Sequence, residues 1–205
     1  MAPAAGATVA TAEGEGRLRL FVAITLPAAW QGYLASRAQD LERLAPRYAR
    51  WVAPDLLHLT LVFLGEQPAE RLAAIEAAVA AAAAGRRPFR LALGQLGSFG
   101  NPPRVLWVAA RADGTALADL YTALVSRLAA SAIPFDQKPL VAHLTLGRAR
   151  RDAPTSAGRA LAARLPALTL PPAPPSFTVE SITLMRSELS SRGPRYTPRG
   201  VYPLG

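Results

Sequence analysis

Two histidines occur in the 205 residues, and both open the same tetrapeptide: His58-Leu59-Thr60-Leu61 and His143-Leu144-Thr145-Leu146. With the first copy given, average residue frequencies make a chance Leu-Thr-Leu behind the other histidine on the order of one in a thousand. In a β-strand successive side chains point to opposite faces, so His and Thr share one face and the two leucines share the other. The leucines then anchor the strand in a core. If the two copies pack about a pseudo-two-fold axis, two imidazoles and two hydroxyls converge on one cleft. That set suits phosphoryl chemistry. One imidazole can take a proton from water while the other protonates a departing sugar oxygen, because an unperturbed pKa of about 6.5 allows one neutral and one charged ring near neutrality. The threonine hydroxyls can donate to phosphoryl oxygens, where negative charge grows in the transition state.

Two other readings compete. Each histidine could be a satisfied strand residue, with threonine present for its β-propensity. Against this, strand, helix and strand surround both copies, as an internal duplication would produce. A two-histidine metal site is the second rival, but no Asp or Glu falls within either motif, and Asp55 and Glu66 only flank the first. The chain has no cysteine, which excludes disulfides, thiolate metal sites and a cysteine nucleophile. Its net charge is +9, carried almost wholly by arginine, and Lys138 is its lysine. Arginine matches phosphate geometry, so an anionic partner is consistent with the charge, although an arginine-rich coding bias would give the same balance.

The elements that must position these groups follow from hydrophobic pattern. Arg17 to Leu26 reads as a strand ended by Pro27, and a helix follows from about Ala28 to Leu44, with Trp30, Leu34, Leu41 and Leu44 on its apolar side. Arg50 to Val52 and His58 to Leu64 read as strands, and Pro68 to Ala84 as an Ala-rich helix. Phe89 to Leu96 and Val105 to Ala109 are strands on either side of a Gly/Asn/Pro loop from Gly97 to Pro103. Thr115 to Ala130 is helical, with Leu117, Leu120, Leu124 and Leu128 spaced three and four apart. Val141 to Leu146 is a strand, Arg159 to Leu165 a short helix, and Phe177 to Met185 and Arg195 to Val201 a closing pair of strands. Strands and helices interleave without a compositional break, so one α/β or α+β domain is expected over residues 17–205. Residues 1–16 are small, polar or Gly-rich and are expected to form a disordered tail. They lack the basic start and apolar core of a secretory signal, and the Ala-rich stretch carries Glu76, so neither export nor a membrane span is expected. A cytoplasmic location is the expectation.

The residues quoted resemble the two-histidine (2H) phosphoesterases, and within them the bacterial and archaeal RNA 2′,3′-cyclic phosphodiesterases, also called 2′-5′ RNA ligase-like proteins. The resemblance runs from about Arg17 to Leu204. It includes RLFVAITLP at Arg19 to Pro27, DLLHLTLVFLG at Asp55 to Gly65, LGSFGNPPRVLWVA at Leu96 to Ala109, AHLTLGRAR at Ala142 to Arg150 and FTVESITLMRSEL at Phe177 to Leu189. It implies an α+β, bilobal, pseudo-two-fold fold, with two antiparallel sheets flanking a central cleft and helices outside. It also implies hydrolysis of RNA 2′,3′-cyclic phosphate ends to 2′-phosphates without metal or cofactor, with weak reverse 2′-5′ ligation.

By the same resemblance His58 is the acid and His143 the base, Thr60 and Thr145 bind the phosphate, Arg148 contacts it, and Phe63 stacks near the terminal nucleoside. Ala142 departs from the proline common before the second histidine. Arg104, Lys138 and Arg195 read as solvated surface that could at most edge the cleft. The expected partners are RNA with 2′,3′-cyclic phosphate or 2′-phosphate ends and small cyclic nucleotides, bound by a monomer. A non-catalytic RNA-end binding module and a phosphodiesterase for a small nucleotide or ADP-ribose cyclic phosphate remain alternatives.

Overall fold

The computed structural model describes residues 16–168, 170–191 and 193–205; of the expected N-terminal tail, residues 1–15 lie outside the described residues. The strands are β1 (Arg17–Thr25), β2 (Ala49–Trp51), β3 (His58–Pro68), β4 (Phe89–Phe99), β5 (Val105–Ala112), β6 (His143–Ala149), β7 (Phe177–Val179), β8 (Ser181–Ser190) and β9 (Gly193–Pro203). The helices are α1 (Ala28–Leu44), α2 (Leu72–Ala83), α3 (Ala116–Ala130) and α4 (Thr155–Arg164). Each long helix buries one stripe. In α1 it is Trp30, Leu34, Ala38 and Leu41, and in α3 it is Leu117, Leu120, Leu124 and Leu128, at the three- and four-residue spacing of an α-helical face. No helix among the described residues is long and apolar enough to cross a membrane.

All pairings described are antiparallel, in the order β7-β4-β5-β6-β3-β1-β8-β9, with β2 added beside β6. The two expected sheets are its two halves, β7-β4-β5-β6 and β3-β1-β8-β9. They meet where β3 pairs with β6, at Leu59 against Leu144. These are equivalent positions of the repeated tetrapeptide, and an antiparallel pair of equivalent residues is what a local two-fold axis produces. Continued by one residue each way, this register sets His58 across from Thr145 and Thr60 across from His143. Both leucines are fully buried, each contributing on the order of 1.5–3 kcal/mol from lost apolar exposure. The motif strands are therefore fastened at the centre of the sheet by the residues between the reactive ones.

Several boundaries move from the expected ones. The Gly/Asn/Pro loop is shorter, because β4 continues to Phe99 with Gly97 paired to Trp107. A 3₁₀ turn over Ala69–Arg71 precedes α2, which starts at Leu72. Helix α4 begins earlier than expected, at Thr155, with Pro154 in its N-cap position. The expected strand from Phe177 to Met185 is two strands, because the chain changes halves: β7 pairs with β4 and β8 with β1. The break falls at Glu180, whose carbonyl accepts the Leu204 N–H at 2.8 Å.

Candidate active site

His58 is the first residue of β3 and His143 the first of β6, so each ring stands at the start of its strand. The preceding segment supplies the same anchor in both cases. Nδ1 of His58 lies 2.8 Å from the Leu56 carbonyl oxygen, and Nδ1 of His143 lies 2.6 Å from that of Val141. A carbonyl oxygen can only accept, so Nδ1 carries the hydrogen in both rings, and Nε2 remains as the atom that can gain or lose a proton. Beta-strand pairing for the second motif starts at His143 rather than at the expected Val141.

Each imidazole also packs against a pair of aromatic rings that touch one another. Phe21 lies 4.9 Å from the His58 ring and Tyr196 lies 5.3 Å from it, edge-on. Phe99 stands edge-on to His143 at 4.9 Å, and Trp107 is 6.1 Å away. Two rings per histidine, drawn from β1, β9, β4 and β5, restrict how either imidazole can rotate. Sequence reasoning did not single out these four aromatics for the site. Each reads locally as an apolar strand residue, and only the non-local pairing of strands brings it to a histidine.

His58, Thr60, His143, Thr145 and Arg148 line one cavity of about 750 Å³, within the size range of small-ligand sites. A second cavity of about 570 Å³ adjoins it and shares Thr60, Phe63, Asp136, His143 and Arg148. Phe63 is 46% exposed and borders both. Phe63 and Arg148 each lie five residues after their histidine, so related positions of the repeat present a flat apolar ring on one side and a guanidinium on the other. Lys138 borders the second cavity, whereas Arg104 and Arg195 border neither. Among the described residues Arg148 forms no salt bridge, which leaves its charge available to an anion. No group of three His, Cys, Asp or Glu side chains among the described residues could hold a metal ion.

Burial pushes the His58 pKa below its ordinary value; the bond to Leu56 opposes this, and the charges of Arg148 and His143 add to it. The free protein therefore favours a neutral ring at position 58. An incoming phosphodiester brings the opposite influence, since a nearby anion stabilises the imidazolium. The arrangement thus offers two Nε2 atoms, two hydroxyls and one unpaired guanidinium to one anionic group.

Comparison with known proteins follows the same outline. The family model described as the 2′-5′ RNA ligase superfamily matches residues 27–190. A Thermus thermophilus protein named RNA 2′,3′-cyclic phosphodiesterase is 38% identical over 188 residues, covering 88% of this chain and 87% of that one. A Geobacillus stearothermophilus protein of the same name is 29% identical over 190 residues, which is 92% of this chain; the match spans 58% of that protein's length. The crystal structure of E. coli LigT complexed with 3′-AMP superposes with a TM-score of 0.70 at 31% identity, over 92% of this chain and 98% of that one.

Proposed function

We propose, on the premise that this chain belongs to the 2′-5′ RNA ligase superfamily, that it is an RNA 2′,3′-cyclic phosphodiesterase. The observation that carries the reading is the Leu59–Leu144 pairing, which brings both imidazoles, each with Nδ1 anchored to a carbonyl, into one cavity with Thr60, Thr145 and Arg148.

In the reaction a water oxygen attacks phosphorus and the bond from phosphorus to O3′ breaks. His143 Nε2 accepts the water proton, and His58 Nε2 delivers its proton to O3′, leaving a 2′-phosphate and a 3′-hydroxyl. Thr60 and Thr145 donate to the non-bridging oxygens as charge accumulates on them, and Arg148 adds a charge-assisted bond. Phe63 offers its exposed ring to the terminal nucleoside. His58 is the acid in this scheme although burial disfavours its charged form, so its proton is secured by the bound phosphate. The same steps with an RNA hydroxyl in place of water give weak 2′-5′ ligation. The reading includes a monomer acting in the cytoplasm, and no metal ion takes part.

The test is turnover of a short RNA ending in a 2′,3′-cyclic phosphate, and of the free cyclic nucleotides, by purified protein in excess EDTA. Formation of the 2′-phosphate at an undiminished rate is expected. Loss of turnover that zinc or manganese restores would refute the metal-free scheme. Binding without turnover would make the chain an RNA-end binding module.

A further inference from the structure

The cavity does not end at the imidazoles. Its floor continues over β1, β8 and β9, where Ser187 pairs with Tyr196. The β1–β8 register sets Leu20 against Arg186, and extended by one residue it brings Arg19 opposite Ser187. Arg19, Ser187 and Tyr196 all line the cavity that contains His58 and Arg148. Arg19 shares a strand face with Phe21, whose ring touches His58, so the row adjoins the reacting centre without belonging to it.

In the reaction above, the cyclic phosphate already has Thr60, Thr145 and Arg148. Arg19 and the Tyr196 hydroxyl have no part in it. Arg19 is about half exposed, and its ion pair with Glu66 is long, at 3.7 Å; such surface pairs contribute little and yield readily to a better anion. The Tyr196 hydroxyl makes no hydrogen bond among the described residues. Burial raises the Tyr196 pKa, while Arg148 and Arg19, in that order, oppose the rise. Both guanidinia thus flank one phenol that stays a protonated donor. On the far side of the catalytic pair, the second cavity is mostly apolar, and its Lys138 is already paired with Asp136 at 3.0 Å.

We propose that Arg19, Tyr196 and Ser187 form a second anion subsite for the phosphodiester that joins the terminal nucleotide to the rest of the strand, so that the cleft reads an RNA end rather than a free cyclic nucleotide. This rests on the proposed function. It gives the RNA a direction: the strand leaves the imidazoles over β1, β8 and β9.

The experiment compares kcat/KM on a short RNA ending in a 2′,3′-cyclic phosphate with kcat/KM on the matching cyclic mononucleotide, for wild type, R19Q, Y196F and K138Q. Wild type is expected to favour the oligonucleotide. R19Q should lower the oligonucleotide-to-mononucleotide ratio by about tenfold or more, as loss of a hydrogen bond to a charged group implies. Y196F, which keeps the ring against His58, should lower it by a smaller factor, and K138Q should change it less than about twofold. A salt series adds a readout that misfolding does not mimic. In R19Q the slope of log kcat/KM against log salt for the oligonucleotide should be shallower by about 0.7, the value for one phosphate contact on a single strand.

An equal loss on both substrates in R19Q, an unchanged ratio, or a ratio governed by Lys138 would overturn the subsite. A wild-type protein that hydrolyses both substrates equally well also overturns it and leaves the proposed function standing. One that hydrolyses neither removes the proposed function itself.

Discussion

A methyl group placed at Gly97 is expected to damage the site from a neighbouring strand. Gly97 on β4 pairs with Trp107 on β5, and the indole lies across the glycine. A Cβ at position 97 would stand 2.6 Å from Cζ3 of Trp107 and closer still to Cη2 and Cζ2. Ordinary carbon contacts need about 3.5–4.0 Å, so the ring must retreat by more than about 1 Å. It retreats within a wall made with Phe99, 5.1 Å away, that also borders His143. Overpacking of this kind costs about 1–3 kcal/mol, which for a domain of this size corresponds to a fall in Tm of roughly 2–12 °C. Misplacing His143 by a comparable distance should lower kcat by about tenfold to a hundredfold. The assay is thermal or urea unfolding together with steady-state kinetics for G97A, W107F and the double variant. Phenylalanine has a single, shorter-reaching ring and lacks the outer benzo edge of the indole that the new methyl meets, so G97A/W107F should be more stable than the two single effects predict. If G97A loses less than about 0.5 kcal/mol at unchanged kcat, or if the two substitutions are additive, Trp107 does not hold His143 in the way described.

Other perturbations address the chemistry directly. H58A and H143A should each reduce kcat/KM by about 10²–10⁴, and the double variant should be little worse than either, measured on folded proteins; near wild-type rates would return both histidines to a structural role. Because burial lowers the His58 pKa in the free protein, an acid at this position requires kcat/KM to fall as pH rises through a value below about 6.5. In kcat the same limb should move to higher pH, since the bound phosphate favours the imidazolium. A His58 limb on which kcat/KM rises with pH would exchange the two roles. T60V and T145V keep β-branching and remove one donor each, so kcat should fall by about tenfold to a thousandfold, whereas R148A should also weaken binding of a 2′-phosphate product. Unchanged kinetics in both threonine variants would leave the phosphate clamp without support.

What the sequence made legible was local and repeated. Alternation within His-Leu-Thr-Leu separates the reactive face from the core face by a two-residue period, and in the structure Leu59 and Leu144 are buried while the residues beside them line the cavity. The repetition itself announced a two-fold relation, and the Leu59–Leu144 pair is its axis. The aromatic walls were not legible, because Phe21, Phe99, Trp107 and Tyr196 come from four strands whose approach depends on long-range pairing. Glycine signals misled for the same reason. Gly97 marks a loop by propensity, yet the ladder between β4 and β5 overrides it, and the residue is used for the close approach of an indole. Glu180 carries no local sign that the chain changes sheet halves there.

The two-fold scaffold and the asymmetric reaction are reconciled at positions outside the tetrapeptides. A duplicated motif supplies two nearly equivalent imidazoles, each with Nδ1 committed to a carbonyl two residues earlier, but hydrolysis needs one to give a proton and one to take it. Symmetry alone cannot assign those tasks. The surroundings differ where the repeat does not constrain them. Position five after the histidine is Phe63 in one half and Arg148 in the other. His58 is packed against Phe21 and Tyr196, with its charged form disfavoured by burial, whereas His143 opens on the second cavity as well as the first. A bound anion stabilises the imidazolium and opposes this effect of burial, so in the proposed scheme binding and charging of His58 are coupled. On the proposed assignment, the acid therefore holds its proton to higher pH when a phosphodiester occupies the cleft.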